Sequence, residues 1–169
     1  MSQVYNIRAY KENDSESVFY FLFNILANEF NINLDFDKLD SDLLDIKNHY
    51  NKDDNGNGCF WIVELKDNNK IIGTVAIRKV IESVFVDTSN FAELKRMFLS
   101  KQYRGQGIGQ QMNNMALDYA KKNGYSKILL YSSKDLVVSR HLYLKNGFVD
   151  ILRYNNDYRA DIFMEKKLL

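Results

Sequence analysis

The stretch that decides the fold covers residues 98–130 and reads FLSKQYRGQGIGQQMNNMALDYAKKNGYSKILL. It begins as the end of an apolar strand, passes three glycines in five positions, and continues as a predicted helix over residues 112–122. Gly105, Gly107 and Gly109 cost conformational entropy in front of a helix. A bare backbone suits an anion there, because the first helical turn leaves N–H groups unpaired at the positive end of the helix dipole. The stretch predicts a phosphate or pyrophosphate site, although a plain turn has the same composition.

Two common nucleotide-binding patterns do not fit this stretch. A dinucleotide-binding loop needs G-x-G-x-x-G and an acidic residue ~20 positions later, whereas the spacing here is G-x-G-x-G. A Walker A loop needs Gly-Lys-Ser/Thr, which does not follow the glycines. Lys101 and Arg104 add positive charge beside the loop, which still favours an anionic ligand.

The rest of the chain alternates between strand and helix patterns. A β-meander precedes the glycines. Starting with the strand in front of them, the elements continue in the order βαβαββ, and this pattern predicts a mixed α+β domain whose strands form one sheet. Two helices precede the meander, the first apolar nearly all round and therefore expected to be buried in part or to face a ligand or partner. The predicted strands cover residues 4–10, 59–65, 70–80, 83–86, 91–100, 127–133, 148–154 and 161–168; the predicted helices cover 17–30, 37–50, 112–122 and 135–145, and the segment 51–58 is predicted to be a loop.

Composition narrows the classes of function. Of the 169 residues, 46% are apolar, which is enough for a core, and 23 basic against 22 acidic residues give a net charge of +1. A general nucleic-acid-binding surface is therefore not favoured. The chain lacks a membrane-spanning run and a signal-peptide pattern, and its one cysteine, Cys59, has no internal disulfide partner, so a cytoplasmic protein is expected.

Two motifs together point to a known family. Arg104, Gly107 and Gly109 fit R/Q-x-x-G-x-G/A, and SRHLYLKNGFVDI, residues 139–151, contains L-Y-x-x-x-G-F. In this order and spacing they resemble the GCN5-related N-acetyltransferase (GNAT) superfamily over residues 93–151. The resemblance implies an α+β fold with a mixed, mainly antiparallel sheet flanked by helices, in one N-acetyltransferase domain over residues 1–169. Lys101 departs from the family, where many members carry proline.

The resemblance implies acetyl-CoA as cosubstrate and no metal. In this family the glycine loop binds the pyrophosphate, and the preceding strand pairs with the pantetheine arm through its backbone. That strand commonly also donates an N–H to the thioester carbonyl, which stabilises the developing oxyanion. The residues that take these roles here are Met97, Phe98 and Leu99 on the strand and Arg104, Gly105, Gln106, Gly107, Ile108 and Gly109 in the loop.

The implied reaction is direct acetyl transfer to an amine, which must lose a proton before it attacks, while the departing thiolate gains one. Tyr143 occupies the family position of the proton donor to the thiolate; otherwise it is a packing tyrosine. Glu93 lies on the strand where family members often carry a glutamate that takes the amine's proton, directly or through water. The alternative for Glu93 is a solvated carboxylate at the end of a strand.

Three other reactive residues have ordinary explanations. His141 is expected on the surface or the rim of a ligand site, because it cannot closely share a helical face with Tyr143. His49 could line the acceptor site, but solvent exposure is expected. Cys59 has no evident activator and is expected to be a small buried residue. No His, Cys, Asp and Glu set has metal-ligand spacing.

The acceptor cannot be identified from the sequence. Segment 13–57 is expected to build its site, and the acidic residues there either attract a cationic amine or lie on solvated helix faces. A small-molecule or peptide amine is the expected partner, without nucleic acid or membrane, and a homodimer stays open. The alternatives are an acyltransferase using another acyl group or an O-nucleophile, and a non-catalytic acyl-CoA-binding sensor or interaction module.

Overall fold

Seven strands form one sheet in the computed structural model, which describes residues 4–50, 58–81, 83–85 and 87–168. Four α-helices flank this sheet in the described ranges. The strands are β1 (Tyr5–Ala9), β2 (Gly58–Leu65), β3 (Ile71–Lys79), β4 (Phe91–Leu99), β5 (Lys127–Ser132), β6 (Val149–Asp150) and β7 (Ile162–Lys167); the helices are α1 (Ser15–Phe23), α2 (Ile46–Tyr50), α3 (Ile108–Lys122) and α4 (Val137–Lys145).

The strand order is β1-β2-β3-β4-β5-β7-β6, and the central pair, β4 with β5, is parallel. The other neighbouring strands pair antiparallel, which confirms the mixed, mainly antiparallel sheet. The parallel pairing covers only three residue pairs and ends at Glu93 opposite Leu129. Beyond that pair the two strands separate, and the gap between them opens a cleft in the sheet.

A β-bulge in β4 lies next to this gap. Thr74 of β3 pairs with Phe98, but Ala76 pairs with Lys95, so β4 has one more residue than β3 in this interval. Arg96 within the bulge has a φ of 49°, and its carbonyl accepts a hydrogen bond of 2.7 Å from the Thr74 hydroxyl. The bulge changes the alternation of side chains, so that successive residues of β4 reach the same cleft.

The sheet is covered on both faces by apolar side chains. α3 contributes one side of the larger cluster, where Met112 and Ala116 are buried together with Leu94 and Leu130 of the central strands. On the other face, α1 and α2 cover the meander through a cluster whose buried members are Tyr10, Val18, Leu22, Leu26, Leu43, Ile46, Tyr50, Phe60, Ile62, Ile71 and Ala76.

The first helix is confirmed, with a change of geometry at its end. α1 continues into a wider π-helical turn at Asn24–Glu29. Its buried side includes Leu22 and Leu26, while Tyr20 is 56% and Phe23 is 38% exposed. The helix thus carries more apolar side chains than the core buries, as the sequence suggested.

The second predicted helix, over residues 37–50, is wrong in its extent. A 3₁₀ turn at Ser41–Leu43 and the short α2 replace it. Asp40 and Asp42 are both buried against one arginine of β4. Residues two apart lie on different faces of an α-helix, so a continuous helix could not present both carboxylates to one partner. Leu44, between the 3₁₀ turn and α2, is 63% exposed.

Two predicted strands are also wrong in extent. Ser83 to Phe85 form a bend instead of a strand, with the Val84 amide donating to the Tyr154 carbonyl, and Val86 lies outside the described residues. The strand predicted over 148–154 shrinks to β6, because the chain then turns to bury Tyr154 against the sheet. The loop predicted at 51–58 lies outside the described residues except for its last residue, which begins β2.

The helix after the glycines begins four residues earlier than predicted. Gly107 is its N-cap residue, and Gly109 therefore lies inside the first turn. The predicted ends of both later helices, Lys122 and Lys145, are confirmed, and each is followed by a left-handed glycine: Gly124 has a φ of 76° and Gly147 a φ of 82°. α4 begins at Val137, two residues after the predicted start.

Candidate active site

A cleft of about 620 Å³ opens where β4 and β5 separate. Its walls come from residues 94–99 of β4, residues 130–133 at the end of β5 and beyond, the glycine loop, and α4. Leu26 and Phe30 close one side of it from the first helical segment. The cleft therefore joins the two sequence motifs, which are about thirty residues apart in the chain, into one site.

Two of the three motif glycines hold conformations that other residues adopt only with strain. Gly105 has a φ of 76° and Gly107 a φ of 81°, both in the left-handed region. No described atom lies within 4 Å of a Cβ placed on either residue, so both face open space. Gly109 has no such φ, and a Cβ there would lie 3.7 Å from a Leu142 methyl group of α4. All three glycines line the cleft.

The positive charge of Arg104 beside the loop is ion-paired in the structure. Its Nε donates to the Leu99 carbonyl at 2.8 Å, and its Nη2 lies 2.5 Å from the Glu29 carboxylate. Arg104 therefore ties the loop to β4 and to the first helical segment. Gln106 donates to the Gln102 carbonyl.

Not every predicted cofactor-binding residue lines the cleft. Met97, Phe98 and Leu99 line it, as do Arg104 and the three glycines. Gln106 and Ile108 do not, and Ile108 is 1% exposed in the core beneath α3. The prediction for these two concerned backbone groups, and a cofactor-binding role for all nine residues stays a prediction.

The backbone of β4 past Glu93 borders the cleft directly. In the described structure, its pairing with β5 ends at Glu93, while its pairing with β3 continues to Leu99. Backbone groups of this segment that point toward β5 therefore face the cleft. An extended ligand lying in the cleft can bind them as a further strand would.

Tyr143 lies on α4 at the cleft wall and is 6% exposed. Its ring packs against Phe148 at 5.7 Å between centroids. Burial raises the pKa of the Tyr143 phenol well above its ordinary value, so at neutral pH the group carries its proton. A protonated phenol at the cleft wall has a proton to donate, and the role of Tyr143 as proton donor to the thiolate stays a prediction.

Glu93 is buried behind the cleft and is 4% exposed, so the alternative of a solvated carboxylate is wrong. Its carboxylate accepts a 2.9 Å hydrogen bond from the Tyr154 hydroxyl. Arg78 lies 3.4 Å away and Lys95 lies 3.8 Å away. Glu93 is not among the residues that line the cleft, so its role as the base stays a prediction and requires an intermediary.

A buried ion-pair network on the opposite side of the cleft was missed by the sequence reasoning. Arg96 donates from Nε to Asp42 at 2.9 Å and from Nη2 to both Asp42 and Asp40. Asp40 also lies 2.8 Å from Nη1 of Arg159, and Asp42 accepts a hydrogen bond from Tyr50. Each arginine lies 54 or more positions from these two carboxylates in the chain, so no local pattern could have indicated these ion pairs.

The charges in this network set the protonation of its carboxyls. Burial alone would raise the pKa of Asp42, but the charge and hydrogen bonds of Arg96 outweigh it and hold the pKa well below its ordinary value. Burial would also raise the pKa of Asp40, which the hydrogen bond from Arg159 lowers instead. Both carboxylates are charged and neutralised by arginines. They are neither solvated nor free to attract a cationic amine, which corrects both expectations for them.

A second missed pair spans the gap between the separating strands. Lys95 Nζ lies 2.5 Å from Tyr131 Oη, and both residues line the cleft. The Lys95 side chain is 8% exposed. Tyr131 also contacts the ring of Tyr154 at 6.3 Å between centroids.

The remaining candidates lie as follows. His141 is exposed and lines the cleft, in agreement with a rim position, whereas His49 is half-buried and is not among the lining residues. Burial raises the pKa of the Cys59 thiol to about 11, so it is not a thiolate at neutral pH. Among the described residues, no group of three or more His, Cys, Asp or Glu could hold a metal ion. None of the helices in the described ranges is long and apolar enough to cross a membrane.

The sequence profile of the Acetyltransferase (GNAT) family matches residues 19–148. The chain belongs to this family. The match confirms the resemblance drawn from the two motifs, and with it the predicted fold.

Known proteins agree with this assignment. The crystal structure of a GNAT-family acetyltransferase from Staphylococcus aureus Mu50 superposes with a TM-score of 0.84 at 26% identity, covering 98% of this chain and 99% of that one. YncA from Salmonella typhimurium, solved with its cofactor acetyl-CoA, shares the fold at a TM-score of 0.72 and 14% identity, covering 98% and 95%. N-acetylaspartate synthetase from Xenopus tropicalis is 34% identical over 110 residues, which are 65% of this chain and 37% of the relative. The chain thus matches just over a third of that relative's length.

Proposed function

We propose that this protein is an acetyl-CoA-dependent N-acetyltransferase that transfers the acetyl group directly to an amine. The observation that carries the proposal is the cleft itself. It connects two left-handed glycines at the start of α3, the unpaired edge of β4 and the buried phenol of Tyr143. The open space above Gly105 and Gly107 fits a pyrophosphate group, which a Cβ would approach.

In this mechanism each wall has a separate task. Backbone N–H groups of the glycine loop and of the first turn of α3 hold the pyrophosphate. The free edge of β4, from Met97 to Leu99, holds the pantetheine arm and donates an N–H to the thioester oxygen, which stabilises the oxyanion by about 3 kcal/mol. Tyr143, whose raised pKa keeps the phenol protonated before the reaction, donates its proton to the departing thiolate.

The first acceptor to test is an amino acid with an acidic side chain, such as aspartate. Several relatives are named N-acetylaspartate synthetase, and the acceptor side of the cleft carries Lys95, Arg96 and Arg159. The arginines are already neutralised by Asp40 and Asp42, so this side offers no surplus of negative charge to a polyamine. A carboxylate on the acceptor is compatible with such a surface, and a strongly cationic acceptor is not favoured by it.

The proposal includes one catalytic domain over residues 1–169 and a cytoplasmic location, supported by the near-balanced charge and the single cysteine. It includes no nucleic-acid or membrane partner and leaves a homodimer to be measured.

The experiment that tests the proposal measures the release of free thiol from acetyl-CoA with a panel of amines. The panel contains aspartate, glutamate, glycyl peptides, spermidine and an aminoglycoside, and each product is checked by mass for one added acetyl group. We expect turnover with at least one amine and the highest kcat/KM with aspartate. Binding of CoA without thiol release across the whole panel would contradict the proposal in favour of a binding module. Acetylation of a hydroxyl group would contradict it in favour of an O-acetyltransferase.

A further inference from the structure

Lys95 and Tyr131 meet at the point where the sheet opens. The last pair in the parallel register is Glu93 with Leu129. Two residues further along each strand, where backbone pairing has stopped, the Lys95 and Tyr131 side chains bridge the gap at 2.5 Å between Nζ and Oη. Both line the cleft, at the apex where the free edge of β4 begins. Under the proposed function, this is next to the segment that holds the thioester.

The pair connects the cleft to the buried Glu93. Lys95 Nζ lies 3.8 Å from Glu93 Oε2, so the ammonium form of Lys95 has a carboxylate behind it. Glu93 is held in place by Arg78 at 3.4 Å and by the Tyr154 hydroxyl at 2.9 Å. A line of polar groups therefore runs from Tyr131 at the cleft, through Lys95, to a carboxylate that does not itself reach the cleft.

Other titratable groups on the cleft wall are less suited to accept a proton. Asp40 and Asp157 are each ion-paired with Arg159. Tyr143 keeps its proton because burial raises its pKa. His141 and Asp135 lie on the exposed rim.

We propose that the Tyr131–Lys95 pair accepts the proton of the acceptor ammonium, and that Glu93 is a positioning residue that holds Lys95 in place. This inference rests on the proposed function. In its accepting form, the pair holds one proton fewer than a phenol with an ammonium. The two atoms share one short hydrogen bond, so a proton can pass directly between them.

The proton balance is complete with these groups. The acceptor nitrogen begins as an ammonium and ends as an amide N–H, so it loses two protons. The first passes to the Tyr131–Lys95 pair, which frees the lone pair that forms the N–C bond. As the C–S bond breaks, Tyr143 gives its proton to sulfur and is reprotonated by the second proton from nitrogen. The pair then releases its proton to solvent, so one proton leaves per turnover.

The charges around the pair define its pH behaviour. Glu93 and Arg78 face it along the sheet, and Tyr154 faces Glu93 from the loop after β6. Asp42, paired with Arg96, adds a further charge near Lys95 from the segment before α2. Each of these two carboxylates has an arginine partner.

The test is the pH profile of kcat/KM for Tyr131→Phe, with the fastest amine of the panel, from about pH 6 to about pH 10. The substitution keeps the ring that packs against Tyr154 and Phe163 and removes only the hydroxyl. We expect kcat/KM to fall by ~10²-fold or more at neutral pH. This loss should become smaller as the pH approaches the pKa of the amine, because more of the amine then binds in its neutral form. A second variant, Lys95→Arg, should also lower kcat/KM, because arginine keeps the positive charge but does not give up a proton.

Controls separate this role from folding and from the proposed function. Tyr20→Phe, on α1 and 56% exposed, should match the wild-type profile, and CoA affinity should be unchanged in Tyr131→Phe. A wild-type profile in Tyr131→Phe, a loss that is constant across pH, or full activity in Lys95→Arg would overturn the inference while leaving the proposed function intact. Absence of thiol release in the wild-type protein with every amine would refute the proposed function and this inference with it.

Discussion

Backbone groups form one wall of the cleft, and buried ion pairs support the other. The proposed function assigns the first wall to the cofactor and the second to the acceptor, and the walls are named accordingly. The cofactor wall consists of Gly105, Gly107 and residues 97–99, where conformation and free backbone edges matter more than side-chain chemistry. The acceptor wall consists of Arg96 and Arg159 with Asp40 and Asp42, whose side chains are almost fully buried or shared between partners. The first wall is made by neighbours in sequence, and the second by segments that meet only in the fold.

Because the two walls differ in this way, we expect substitutions in one to affect ligand binding and substitutions in the other to affect stability. A change in the glycine loop affects a solvent-facing surface, since nothing among the described atoms packs on those two glycines. A change in the ion-pair network leaves an uncompensated charge inside the protein, which costs several kcal/mol. Substitutions in the cofactor wall should therefore change affinity first, and substitutions in the acceptor wall should change the free energy of unfolding first.

The largest effect is expected for Asp42→Asn. The substitution removes the charge that faces Arg96 in a buried site, where Asp42 is 3% exposed. Breaking a buried pair on one side costs about 3–5 kcal/mol, measured here as the free energy of unfolding by denaturant titration. Asp45→Asn is the control, because Asp45 is exposed in the same segment and should leave stability nearly unchanged. Equal stability of the two variants would show that the network does not hold the acceptor wall.

The next effect is on turnover. Tyr143→Phe removes the phenolic proton but keeps the ring that packs against Phe148. We expect kcat to fall by ~10²-fold with little change in CoA affinity, since a general acid acts only in the transition state. Tyr158→Phe, 73% exposed, is the surface control. Normal turnover in Tyr143→Phe with a true acceptor would reduce Tyr143 to a packing residue.

A smaller effect on stability is expected when the pH is lowered. The pKa values of Asp42, Asp40 and Asp14 are lowered in the folded protein, so each favours folding above its unfolded pKa of about 4. That contribution is lost as pH falls below about 4 and through the lower folded pKa values, because the unfolded chain then binds more protons. Wild-type stability should fall steeply in this range and Asp42→Asn less steeply, as measured by thermal unfolding. Parallel curves for the two proteins would contradict the assignment for Asp42.

The smallest effect is expected for Cys59→Ala, which should leave turnover unchanged. The raised pKa of the Cys59 thiol keeps it protonated, and direct transfer needs no acetylated enzyme. Double-reciprocal plots with both substrates varied should intersect. Parallel plots, together with an acetyl-protein that is required for turnover, would replace direct transfer by a two-step relay.

The sequence predicted the cofactor wall well because its determinants are local. Three glycines, the strand before them and the helix after them lie within one continuous stretch from Phe91 to Lys122, and Gly105 and Gly107 have the left-handed φ that only glycine adopts freely. The β-meander and the helix ends at Gly124 and Gly147 were equally local. The ion pair of Arg104 was not predicted, because its partner Glu29 comes from a segment far away in the chain.

The acceptor wall could not be predicted, since each contact joins residues far apart in the chain. Asp40 and Asp42 read as solvated helix residues until Arg96 and Arg159 are placed beside them. The bulge that turns Arg96 inward leaves no mark in the pattern of β4, which reads as an ordinary strand. Glu93 was expected at the site, but its burial behind Lys95 depends on how far β4 and β5 separate.

The most direct test of the two-wall account is a calorimetric titration of CoA into Gly107→Val and Gly124→Val. Both glycines have a left-handed φ, 81° and 76°, and open space at the Cβ position, and they lie at opposite ends of α3. Valine should strain the backbone equally at the two positions, but only Gly107 borders the cleft. The account predicts a CoA affinity more than about tenfold weaker in Gly107→Val, or ~1.4 kcal/mol, and an unchanged affinity in Gly124→Val. Equal CoA affinities in the two folded variants would contradict it.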